Sequence, residues 1–166
     1  MTIDELLARI EMKSPPAAED DVVAIEKRVG HSLPADYRQF LIDCNGGYLG
    51  GSLWFQGDNP NGEEVEAGVH HIAGFREESH FSIMDALDTY EGRIPSDLLY
   101  IHDDPFGNAI CIGLAGERQG KIYFWDHEED DDFDDDLDLD DDESEGPTLI
   151  ANSFTEYVAG LSENAD

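Results

Sequence analysis

Basic residues are scarce in this chain: 9 Lys and Arg stand against 40 Asp and Glu in 166 residues, a formal net charge of −31. Direct binding to nucleic acid is excluded as a main role, because phosphate contacts need clustered Lys and Arg. Anionic membrane surfaces are disfavoured on the same ground. Cysteine is scarce too. Cys44 and Cys111 lie far apart with no CxxC spacing, which argues against a disulfide framework or a zinc site, and their apolar surroundings predict buried free thiols. No apolar run approaches the length of a membrane span. Residues 1–7 lack the basic region and apolar core of a secretory signal, so the expected location is the cytoplasm. Catalytic signatures are also missing. Gly46-Gly47 and Gly50-Gly51 lack the lysine and the strand–loop–helix context of a phosphate cradle. No serine sits in a nucleophile elbow. The 6 histidines are scattered, and His70-His71, if on a strand, should point to opposite faces and be unable to share a metal. His102-Asp103-Asp104 and Asp126-His127-Glu128 read as a turn and as solvated charge rather than as acid–base or metal clusters. The expectation is a protein that is not an enzyme and needs neither cofactor nor metal.

What is present is a foldable core. Hydrophobic residues make up 40% of the chain and aromatics 10%, too much for a disordered protein, and the length suits one domain over residues 1–166. Thr2 and Glu5 form a capping box before Ile3, Leu6, Leu7 and Ile10. Ser14-Pro15-Pro16 opens a second helix, lined by Ala18, Val22, Ile25 and Val29 and ended by Gly30. Pro34 suits the first position of a third, whose face is Tyr37, Phe40, Leu41 and Cys44 and whose cap is Asn45-Gly46-Gly47. The first third therefore reads as all-helical. Strands are predicted over residues 52–56, 65–75, 98–102, 108–114 and 121–125, with Gly57 to Gly62 a loop and residues 115–120 a hairpin turn. Ser82 with Asp85 caps a helix to about Glu91, and Ser153 with Glu156 caps a last one carrying Phe154, Tyr157, Val158 and Leu161. Residues 148–151 are a brief apolar run.

One segment is of another kind. Residues 126–145 hold 15 acidic residues and no basic one, while the rest of the chain holds 25 acidic and 9 basic. An acidic insertion at about 126–146 should be extended and solvated, since Phe133, Leu137 and Leu139 are too few to collapse it. Asp136-x-Asp138-x-Asp140 mimics the start of an EF-hand loop, but Asp141 stands where glycine is needed and Pro147 where the bidentate glutamate belongs. A basic protein partner is the natural complement. The candidate partner-binding residues are Glu128, Glu129, Asp130, Asp131, Asp132, Asp134, Asp135, Asp136, Asp138, Asp140, Asp141 and Asp142.

Three segments together resemble the SUKH superfamily, the Smi/Knr-like proteins. They are Leu33-Pro-x-Asp-Tyr-Arg-x-Phe-Leu with Asn45-Gly-Gly47; Phe106-Gly-Asn-Ala-Ile-Cys-Ile with Gly120-Lys-Ile-Tyr-Phe-Trp-Asp-His-Glu128; and Ile150-Ala-Asn-Ser-Phe-Thr-Glu-Tyr157. The resemblance runs from about Val22 to Leu161. It implies an α+β fold with a mostly antiparallel sheet packed against N-terminal helices and a C-terminal helix. It also implies an immunity protein of a toxin–antitoxin or polymorphic toxin system, which binds and neutralises a cognate toxin, many such toxins being nucleases; the acidity of this chain points to a basic one, and a monomer is expected. A regulatory scaffold with the acidic tract as spacer is the alternative. The resemblance assigns a structural role to Leu33, Pro34, Tyr37, Phe40, Leu41, Asn45, Gly46, Gly47, Gly107, Trp125, Ser153 and Phe154. The long acidic insertion departs from the family pattern.

Overall fold

Local sequence signals set most helix boundaries. In the computed structural model, which describes residues 1–76, 81–128 and 146–163, Thr2 Oγ1 accepts from Glu5 N at 3.2 Å while Thr2 N donates to Glu5 Oε2 at 2.7 Å, opening α1 (Ile3–Arg9). Helix α2 (Glu19–Val29) buries Val22 and Ile25 and ends at Gly30, whose φ of +75° is left-handed. Helix α3 (Ala35–Asp43) buries Tyr37, Phe40 and Leu41. Pro34 stands one residue before the expected place: its ψ of 137° is extended, and it acts as the cap whose carbonyl accepts from Arg38 N at 2.9 Å. Ser82 Oγ caps α4 (Ile83–Thr89), which is shorter than expected, and Ser153 Oγ caps α5 (Phe154–Ala159).

The first third is not all-helical. Ile10 leaves α1 and starts β1 (Ile10–Lys13), which pairs antiparallel with β2 (Gly47–Asp58). Ile10-Glu-Met-Lys alternates apolar and polar residues, and only pairing with a segment over thirty residues on selects the strand. Strand β2 is also far longer than residues 52–56: it begins at the α3 cap and takes in the first two residues of the expected loop. On its other edge it pairs with β3 (Glu64–Ile72), and the short β8 (Leu161–Ser162) pairs with Trp54 and Phe55. Leu161 is thus a strand residue rather than part of the last helix. The second sheet is the predicted meander, completed by the run after the acidic tract: β4 (Leu98–Asp103), β5 (Ala109–Gly113), β6 (Ile122–Trp125) and β7 (Thr148–Ala151), in that order. The result is an α+β fold with two antiparallel sheets.

The sheets meet along β3 and β4. Ala73 N donates to Ile101 O at 2.8 Å. Leu98 through His102 and all of β5 are buried, so the second sheet is covered on both faces and its strands read as continuous apolar runs. Helices α3 and α5 close the core, with the Phe154 ring centre 5.2 Å from those of Tyr37 and Phe40. Asp36 in α3 ties down the start of α5, accepting from both Thr155 N and Thr155 Oγ1 at 3.0 Å. At the exit of α3, Asn45 (φ 55°) and Gly46 (φ 71°) turn the chain against the end of β3; a side chain on Gly46 would stand 2.3 Å from Ile72 O. No helix among the described residues is long and apolar enough to cross a membrane.

Candidate functional site

Two places carry chemistry that the fold does not consume. The first is the β4–β5 turn. Asp104 is buried and holds the turn by its side chain: Oδ1 accepts from Phe106 N at 2.8 Å and Asn108 N at 2.9 Å, and Oδ2 accepts from Asn108 Nδ2 at 3.1 Å. Asp104 N donates to Asn108 O at 2.9 Å, and Gly107 takes a φ of +92°. Pro105 packs against Gly68 of β3, where a Cβ would be 2.8 Å from its ring. The turn is therefore braced from within and from below, yet it presents Phe106 at 73% exposure. The reading of Asp103-Asp104 as a turn fits Asp104; Asp103 belongs to β4.

The acidic tract is rooted at this turn. His127 Nδ1 lies 2.8 Å from Asn108 Oδ1; an amide oxygen only accepts, so Nδ1–H donates. His127 N reaches the same oxygen at 3.4 Å, and Glu128 N donates to Asp126 Oδ1 at 2.8 Å. Of the twelve candidate partner-binding residues, Glu128 alone lies within the described structure. Glu129 through Asp142 lie outside the described residues.

The second place is the seam between the sheets. His102 is fully buried. Its Nδ1 lies 3.0 Å from the Asp103 carbonyl oxygen, which only accepts, so Nδ1 carries the proton and Nε2 accepts from the Tyr157 hydroxyl at 2.8 Å. Burial pushes this imidazole down to about 4, against the opposing pull of the Asp103 carbonyl, and burial raises the Tyr157 hydroxyl. His71, also buried, places Nε2 3.3 Å from Tyr100 Oη and 3.4 Å from Asp103 Oδ1. Burial first, then the neighbouring charges of His102, His70 and Arg76, lower it to about 3, so its contact with Asp103 is not an ion pair near neutrality. Asp103 is itself held above the ordinary carboxylate range by burial.

The expectation that His70 and His71 face opposite ways is wrong. Their ring centres are 5.1 Å apart. Strand pairing explains it: Tyr48 pairs with His71 and Leu53 with Val69, so four residues of β2 bulge opposite His70 alone. His70 has no ladder partner to impose the alternation of a regular strand.

The residues with an expected structural role sit in the frame. Leu33, Tyr37, Phe40, Leu41, Trp125 and Phe154 are buried, Pro34 and Ser153 are caps, and Gly46, Gly47 and Gly107 take positive φ. Asn45 does more than cap. Its Nδ2 donates to Pro15 O at 3.1 Å and Phe75 O at 2.9 Å, and its Oδ1 accepts from Phe75 N at 2.7 Å. Sequence reasoning missed the Asp104 brace, the Asp36–Thr155 tie and the His102–Tyr157 pair; a polar residue inside an apolar run, as at His102, was the one available signal. Both cysteines are buried and free, and burial holds both thiols above their ordinary value, which leaves them poor nucleophiles.

Among known proteins, the family described as the SMI1 / KNR4 family (SUKH-1) matches residues 16–160. The SPbeta prophage-derived uncharacterized protein YokK of Bacillus subtilis (strain 168) is 31% identical over 156 residues, covering 82% of this chain and 70% of its own length.

Proposed function

The chain belongs to the SMI1/KNR4 family (SUKH-1), and we propose that it is an immunity protein that neutralises a cognate toxin, a basic nuclease, by binding it through an acidic surface. It acts in the cytoplasm as a monomer, with residues 1–166 as one domain, and performs no catalysis of its own. The observation that carries this reading is the rooting of a carboxylate-rich tract beside a braced turn that exposes an aromatic ring. Each half supplies what the other lacks. Carboxylates at residues 128–142 steer a basic partner and speed encounter, but long-range steering by charge does not by itself fix a docking geometry. Phe106 gives shape: an aromatic anchor on a pre-ordered turn enters a pocket at little conformational cost. A nuclease groove built to hold phosphates offers the matching positive charge.

Isothermal titration against the toxin domain encoded beside this gene tests the proposal. Binding at low salt that weakens steeply as salt is raised is expected, with loss of nuclease activity in the complex. No heat of binding at low salt refutes it. Replacing residues 129–145 by a Gly/Ser linker should chiefly slow association and flatten the salt dependence; an unchanged affinity at every salt concentration would remove the tract from the mechanism.

A further inference from the structure

The seam between the sheets gathers donor atoms that the immunity reading does not use. The β2 bulge lets His70 turn its ring toward His71, and Asp103 reaches the same spot from β4 across the seam. One nitrogen from each imidazole and one Asp103 carboxylate oxygen all lie within 4.8 Å of one another. The closest defined pair, His71 Nε2 and Asp103 Oδ1, is 3.4 Å apart. Two ligands at about 2.0–2.1 Å from a tetrahedral metal stand roughly 3.3–3.4 Å from each other.

The chemistry of the three groups matches that spacing. His71 turns Nε2 toward Asp103 Oδ1, with the Tyr100 hydroxyl at 3.3 Å as the other polar neighbour of that nitrogen, and a metal at Nε2 would leave the ring proton on Nδ1. Asp103 is a part-exposed carboxylate whose Oδ1 faces that ring across the seam, so a cation between them would gain an anionic ligand from β4. His70 and Asp103 are both part-exposed, which leaves an approach from solvent. The Arg76 guanidinium lies near enough to depress His71, so a cation can settle here only with the Asp103 charge in place.

We propose that His70, His71 and Asp103 form a binding site for a divalent transition metal that bridges the two sheets. Two imidazole nitrogens and one carboxylate oxygen suit Zn²⁺, Co²⁺ or Ni²⁺ and not Ca²⁺ or Mg²⁺, which prefer all-oxygen shells. Three protein ligands leave one position of a tetrahedral ion to water. The metal links β3 to β4 beside the Ala73–Ile101 hydrogen bond and acts as a staple between the sheets.

The test uses the full chain, stripped with a chelator and titrated with Zn²⁺ by calorimetry and with Co²⁺ by visible absorption, in physiological salt and excess Mg²⁺ to suppress binding to the acidic tract. One equivalent of Zn²⁺, a tetrahedral Co²⁺ spectrum and a metal-dependent rise in the unfolding midpoint are expected. His70→Ala and Asp103→Asn, both at part-exposed positions, should each weaken binding by at least about a hundredfold, more than loss of an outer partner costs, and abolish the rise. Their midpoints without metal report whether they remain folded; should either fail to fold, His70→Gln replaces it. His127→Ala and the chain with residues 129–145 replaced should bind as the wild type does. The proposal is overturned by absent stoichiometric binding, by ligand variants that bind normally, or by binding that disappears with the tract.

Discussion

Lowering the pH should destabilise this protein through His102, and the size of the effect can be worked out. The imidazole is fully buried, donates Nδ1–H to the Asp103 carbonyl and accepts at Nε2 from Tyr157. Protonation of Nε2 would break the second bond and bury a charge that the nearby Asp104 carboxylate offsets only in part. The folded value lies at about 4, below the ordinary imidazole value of 6.5. For a group whose folded value is depressed in this way, the unfolded chain binds the proton first as pH falls. Stability is therefore intact above pH 6.5, declines below it, and stops declining on this account below the folded value. Between pH 7 and pH 5 the loss from this residue is about 2 kcal/mol, and its limit is about 3 kcal/mol. Urea unfolding at the two pH values, in chelator, measures it. His102→Gln removes the titrating group, so its stability should fall by about 2 kcal/mol less over the same interval; titrations of carboxylates remote from His102 are common to both proteins and cancel in the comparison, and loss of the His102 charge also relieves part of the push that lowers His71. NMR titration of the His102 ring protons gives the direct check. An ordinary value near 6.5, or equal losses in the two proteins, would refute the reasoning.

Three further outcomes follow from particular contacts. Asn45→Ala removes three part-buried hydrogen bonds that tie the α3 exit to Pro15 and Phe75, and urea unfolding should show a loss of about 3 kcal/mol, at about 1 kcal/mol for each bond. Tyr37→Phe should leave stability unchanged or raise it by up to about 1 kcal/mol, since the buried Tyr37 hydroxyl has no hydrogen-bond partner among the described residues; a loss above about 1 kcal/mol would show that the hydroxyl is satisfied. Phe106→Ala should keep the unfolding midpoint within about 0.5 kcal/mol of the wild type while weakening toxin binding by about 2 kcal/mol, mainly through faster dissociation.

The frame was more legible than the site, for a physical reason. Caps act within one turn of helix, so Thr2 with Glu5, Ser82 with Asp85 and Ser153 with Glu156 can be read from neighbouring residues. The meander from β4 to β6 is likewise marked by short apolar runs with a turn at each break. By contrast, Ile10-Glu-Met-Lys carries too few residues to choose between continuing a helix and starting a strand, and pairing with Tyr48 and Leu49 makes the choice. His70 and His71 went astray because alternation along a strand holds only where a regular ladder enforces it. The β2 bulge opposite His70 is a property of the pairing, invisible in the β3 sequence.

The sequence by itself determined the acidic charge, the side-chain caps that open three helices, the meander and the membership of the SUKH family, because composition and short-range hydrogen bonding are written in consecutive residues. Only the tertiary structure decided which polar groups face one another. Asp104 could be seen as a turn residue, but not as the brace that holds Phe106 out beside the root of the tract. His71, His102, Asp103 and Tyr157 stand up to 86 positions apart in sequence, and it is the packing of the two sheets that takes His71, His102 and Tyr157 out of water and brings the polar atoms of all four to within 2.8–3.4 Å of a partner. Proximity of that kind arises from packing, and packing is a property of the whole chain.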